Sequence, residues 1–151
     1  HSTDRMPASG LQMERPRMSF SSLLIKRRSA VVMKYKVSKP EDRRFMGRTF
    51  DSKAECQYAM QLYMMLECGA VLDYICQPRV WLGVPENVYV PDFLVVPESG
   101  KPYYVDVKGH ETQKFKRDKK LWRAYGRLEL VIVKHKRADK FETVEIIKAA
   151  Q

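Results

Sequence analysis

The chain has 151 residues, a net charge of +10 and 44% hydrophobic side chains, which suits one soluble domain with a core of its own. No apolar run approaches the ~18 residues of a membrane span, and the N-terminus lacks the apolar stretch of a secretion signal. Cys56, Cys68 and Cys76 are an odd set without metal-ligand spacing, which argues against a disulfide scaffold and for reduced, buried thiols in a cytoplasmic setting.

Charge is segregated along the chain. Residues 1–48 carry +8, residues 49–107 carry −5, residues 108–127 carry +6 and the remainder carries +1. An acidic centre between basic flanks suits divalent cations in the middle and phosphate backbone on either side.

In chain order, residues 1–29 read as an extended basic arm containing Pro7, Gly10 and Pro16, and residues 30–37 as a strand. Residues 40–48 read as a polar, basic loop. Together, residues 1–48 form an arm with a strand, and residues 49–151 form the main domain. Ser52-Lys53-Ala54-Glu55 fits a capping box and opens a helix over 52–68, with Glu55 at the start of its inward stripe of Ala59, Leu62 and Leu66. Strands are expected over 74–82, 88–96 and 102–108, the last two joined by the turn Glu98-Ser99-Gly100-Lys101. Residues 112–125 form a basic helix, residues 128–133 a buried strand suited to parallel pairing, and residues 141–148 fit either strand or helix. Trp81 and Trp122 are read as core or edge packing in preference to base-stacking groups, and His110 as a polar loop residue.

Two short motifs carry chemistry. Pro91-Asp92 ends one apolar run, and Asp106-Val107-Lys108 lies on the next. Strand alternation points Tyr104, Asp106 and Lys108 to one face, while Tyr103, Val105 and Val107 point to the other. Charges on core strands must face a cleft, a metal or one another, because unpaired burial costs several kcal/mol. Two carboxylates beside a lysine suit a hard cation that polarises a phosphate, with the lysine offsetting charge that grows on it. Glu55 serves as the capping acid, as a third acidic group of the site, or as both.

Pro91-Asp92 followed by Asp106-x-Lys108 resembles the PD-(D/E)xK signature of restriction-endonuclease-like nucleases. The order helix, three strands, helix, strand is similar to their α/β core, a central mixed sheet flanked by helices. Phe50-Asp51-Ser52-Lys53-x-Glu55, Gln77-Pro78, Asp106-Val107-Lys108-Gly109, Thr112 and Phe115-Lys116 are similar to small phage nucleases. Tyr89-x-Pro91-Asp92-Phe93-Leu94 resembles a stretch of phage Holliday-junction resolvases.

The resemblance implies Glu55, Asp92, Asp106 and Lys108 as catalytic residues. Glu55, Asp92, Asp106 and the Val107 carbonyl would hold Mg2+ or Mn2+, and Gln77 would be an accessory polar contact. On the basic helix, Lys114, Lys116, Arg117, Lys119, Lys120 and Arg123 are the expected nucleic-acid contacts. The expected activity is a Mg2+-dependent endodeoxyribonuclease acting on branched DNA as a homodimer, in the host cytoplasm if phage-encoded. An exonuclease, a nicking enzyme and a non-cutting DNA-binding accessory protein are the alternatives.

Overall fold

The structure is a computed structural model that describes residues 37–151. The arm over 1–29 and nearly all of the strand expected over 30–37 lie outside the described residues. The segment 40–48, expected as a loop, is ordered instead. Pro40–Arg43 forms one 3-10 turn, and a two-residue hairpin follows, β1 (Arg44–Phe45) with β2 (Arg48–Thr49). Its turn residues Met46 and Gly47 have φ of 53° and 77°, the positive values that tight hairpin turns require.

Helix α1 (Lys53–Glu67) starts where the capping pattern places it. The Ser52 Oγ accepts the Glu55 N–H at 3.1 Å. The helix buries Glu55, Cys56, Ala59 and Leu62 along one stripe. The strand expected over 74–82 is two strands, β3 (Val71–Cys76) and β4 (Val80–Leu82). They are separated at Gln77, whose φ of 52° turns the chain just before Pro78. The strand expected over 88–96 is likewise divided, into β5 (Val84–Tyr89) and β6 (Phe93–Pro97). Pro91 has no N–H to give a sheet ladder, so pairing stops between them.

Strand β7 (Tyr103–Val107) and helix α2 (Gln113–Tyr125) match expectation, while strand β8 (Leu130–Arg137) starts two residues later and runs four residues further than the 128–133 expected, parallel to β7. The ambiguous tail is strand β9 (Lys140–Ile147). The five-stranded mixed sheet has the order β3-β6-β7-β8-β9, antiparallel except for β7 with β8, and β4 pairs with β5 as a separate hairpin.

The two helices cover opposite faces of this sheet. On the α1 side, Cys56, Ala59 and Leu62 meet Val71, Phe93, Val95, Val105 and Val133. On the α2 side, Phe115 and Trp122 meet Leu130, Ile132 and Ile147, with Leu82 and Tyr89 of the hairpin closing the edge. Each fully buried side chain of this size contributes about 1.5–3 kcal/mol. Trp122 is wholly buried and its Nε1 donates to the Leu128 carbonyl at 2.9 Å.

Two expectations fail on burial. Cys56 and Cys76 are buried but Cys68, just beyond the end of α1, is exposed. Trp81 is 56% exposed rather than packed. Among the described residues, no helix is long and apolar enough to cross a membrane.

Candidate functional site

The alternation expected on β7 is what the structure shows. Val105 enters the α1-side core, while Tyr104 packs on the α2 side. Asp106 is 1% exposed, and its Oδ2 lies 3.5 Å from the Lys108 Nζ. The Lys108 ammonium sits 4.5 Å from the centre of the Phe115 ring, within cation–π range, which ties the lysine to the first turn of α2. The same Asp106 oxygen accepts the Tyr89 hydroxyl. Tyr89 is fixed in turn by Phe115 and Trp122, with ring centres 6.4 and 5.9 Å away.

Asp92 is 2% exposed and lies just before β6, one step past the Phe93–Val105 pair and so level with Asp106. Its Oδ2 accepts the Val107 N–H at 2.7 Å, its own N–H donates to the Val105 carbonyl at 3.0 Å, and its carbonyl accepts the Gln77 N–H at 2.8 Å. The β6–β7 pairing therefore brings Asp92, Asp106, Val107 and Lys108 to one end of the sheet.

A second polar cluster lies at the start of α1. Gln77, 2% exposed, donates through Nε2 to the Asp51 Oδ2 at 3.3 Å. Arg48 lies close enough to Asp51 and Glu55 to feel their charge. Burial pushes the Arg48 guanidinium below its ordinary pKa, opposed by the neighbouring Cys76, Asp51, Glu55 and Tyr74. Among the described residues, Arg48 Nε and Nη2 and Gln77 Oε1 have no hydrogen-bond partner.

No group of three or more His, Cys, Asp or Glu side chains is arranged to hold a metal ion among the described residues. The donors at this end of the strand pair, two carboxylates and the adjoining Val107 carbonyl, are all oxygen, the chemistry that Mg2+ or Mn2+ takes. The donor set fits such an ion.

The basic helix divides. Lys116, Arg117 and Lys120 are exposed and have no ion pair with a described residue. Lys114 pairs with Asp118 at 2.9 Å, and Arg123 with Glu145 at 3.3 Å. Lys119 sits between Glu111 at 2.7 Å and Glu145 at 2.9 Å, tying α2 to β9. The hydrogen bond from Lys119 holds Glu111 below the usual carboxylate range, and the same contact raises Lys119.

Sequence reasoning gave no role to Arg48 or Tyr89. Arg48 was masked by a segment that reads as loop. Tyr89 carried a usable signal, since a tyrosine buried beside acidic motifs needs a polar partner for its hydroxyl.

No curated protein and no solved structure matches the chain. A family model described as a protein of unknown function, DUF1064, matches residues 33–142, a span that contains Glu55, Asp92, Asp106 and Lys108. The chain belongs to the DUF1064 family.

Proposed function

We propose that this chain is a metal-dependent nuclease of the PD-(D/E)xK type that hydrolyses DNA phosphodiester bonds. One observation carries the reading: two almost wholly buried aspartates, level across a strand pair, with Lys108 3.5 Å from one of them. Asp92, Asp106 and the Val107 carbonyl would hold Mg2+ or Mn2+, with Glu55 of α1 as a further acidic group. When bound, the ion supplies Lewis-acid polarisation of a phosphate oxygen.

Lys108 keeps its ammonium at the mouth of this pair, with 27% of its side chain exposed, where it can meet a phosphate and offset developing negative charge. Tyr89 and the Val107 N–H hold one oxygen of each carboxylate in place. Lys116, Arg117 and Lys120 supply backbone contacts from the exposed face of α2. Branched DNA is the proposed substrate, a homodimer the proposed working form and the cytoplasm the proposed location. The first two rest on resemblance to junction resolvases, and the location on the odd set of cysteines.

The test is cleavage of a mobile four-way junction, a flap, a duplex and a single strand with Mg2+, comparing wild type with Asp106→Asn and Lys108→Ala. Metal-dependent cutting lost in both variants supports the reading. Variants that cut as fast as wild type overturn it. One observation favours a second reading, a DNA-binding protein that does not cut. The Asp106 Oδ2 is already engaged by Tyr89 and Lys108, an arrangement that also satisfies a purely structural carboxylate. Salt-sensitive DNA binding with no metal uptake would favour it.

A further inference from the structure

The β4–β5 hairpin presents an aromatic platform that the proposed cleavage chemistry does not use. Trp81 is 56% exposed, an unusual position for the largest apolar side chain, and Val84 beside the turn is 46% exposed. The Arg79 guanidinium carbon lies 5.8 Å from the centre of the Trp81 ring. Arg79 is exposed, has no ion pair with a described residue and is one of three basic residues between 49 and 107. A cation kept on an aromatic face within an acidic stretch suits a partner with a flat ring next to an anion.

The platform is rigidly mounted. In the hairpin register, Trp81 lies opposite Val88, the neighbour of Tyr89, and Val80 lies opposite Tyr89 itself. Tyr89 faces inward to Asp106, and Leu82 is 1% exposed in the α2-side core. At the turn, Gly83 has φ +92°, and a Cβ there would lie 2.9 Å from Tyr125 Cε2, so the turn sits directly on the Tyr125 ring. The Asn87 side chain closes the hairpin onto the Leu82 carbonyl at 3.3 Å. Trp81 is therefore held in place, on the strand that pairs with the one carrying Tyr89 to the acid pair.

We propose that the β4–β5 hairpin is a nucleobase-stacking element, in which Trp81 stacks on an unpaired base of DNA and Arg79 meets the adjoining phosphate. The location of that base beside the cut rests on the nuclease reading; the stacking does not. Base–aromatic stacking tolerates any sequence, so it selects for unpaired or splayed bases rather than a particular base.

The chain has two tryptophans, and Trp122 is wholly buried, so solvent-dependent tryptophan emission reports on Trp81. The full chain is titrated, with chelator present, with a labelled single-stranded oligothymidine and with an abasic oligomer of the same length. Anisotropy of the label follows binding while tryptophan emission follows stacking. Quenching by the base-bearing oligomer alone supports the proposal. So does binding weakened about 5- to 150-fold in Trp81→Ala and largely kept in Trp81→Phe.

Saturated binding with unchanged emission, Trp81→Ala binding like wild type, or no binding at all overturns it. Trp81→Ala that changes only self-association in sedimentation also overturns it and assigns the ring to a subunit contact. Cleavage in Mg2+ separates the two readings. A chain that cuts with Trp81→Ala unaffected keeps the nuclease and loses the stacking element. A chain that stacks but never cuts does the reverse.

Discussion

The Asp92 carboxylate holds the backbone N–H of Val107 at 2.7 Å, so the acid that precedes one strand secures the end of the next. Asp92 thereby has a structural duty beside any chemical one. Asp92→Ala strips the Val107 N–H of this acceptor and is expected to destabilise the fold by about 1–3 kcal/mol. Asp92→Asn keeps an oxygen able to accept and should lose less. Urea unfolding of the two variants checks the order. Metal-dependent cleavage should vanish in both, which separates the carboxylate's charge from its bond to the strand.

Tyr89→Phe deletes one hydroxyl and leaves the ring against Phe115 and Trp122. Outer contacts to a metal-binding carboxylate are typically worth 10- to 100-fold in metal affinity. Mn2+ binding by calorimetry should weaken by about that factor, and urea unfolding should show a loss of about 1–3 kcal/mol because the buried Asp106 carboxylate loses a donor. An unchanged Mn2+ affinity would mean that Tyr89 serves packing alone.

The Lys119 cluster gives a pH signature away from the acid pair. Glu111 is held below its ordinary 4.5, so its contribution is present above that pH and is lost as pH falls through the lowered value. Lys119 is raised above its ordinary 10.5, so its contribution is present below that pH and is lost as pH rises through the raised value. The stability difference between wild type and Lys119→Met should be greatest in the middle of this window and shrink at both ends. Thermal unfolding across pH reads it directly. Added salt should flatten the curve, because Glu111 is exposed.

What the sequence made legible was local. Period-two alternation is enough to put Asp106 and Lys108 on one face, and a serine three residues before a glutamate is enough to start α1. Both signals involve neighbours in the chain. The two divided strands were missed although Pro78 and Pro91 mark the breaks, because the apolar residues on either side of each proline read as one run. The break at Gln77 is a left-handed backbone at a residue type that does not demand one, and no hydrophobic pattern marks it.

Arg48 escaped for a different reason. Its ionisable neighbours Glu55 and Cys76 lie on α1 and at the end of β3, brought together only by packing. The exposure of Trp81 was equally hidden, since it depends on a hairpin that stands apart from the main sheet. The division of the basic helix was hidden in part because Glu145, which pairs with both Lys119 and Arg123, lies far along the chain on β9.

The main-chain amides of Val107 and Lys108 are adjacent yet closed by very different lengths of chain. Val107 is bonded to Asp92 across a hairpin whose turn is residues 98–102, whereas Lys108 donates to the Val133 carbonyl only after the whole α2 crossover has docked. Short loops close first, and non-local pairing must meet its loop entropy before it gains contacts. In pulsed hydrogen exchange during refolding, Val107 should acquire protection before Lys108. The two acids would then meet early, on a local hairpin pairing. The strand beside them would be anchored on its far edge only when the chain is nearly complete.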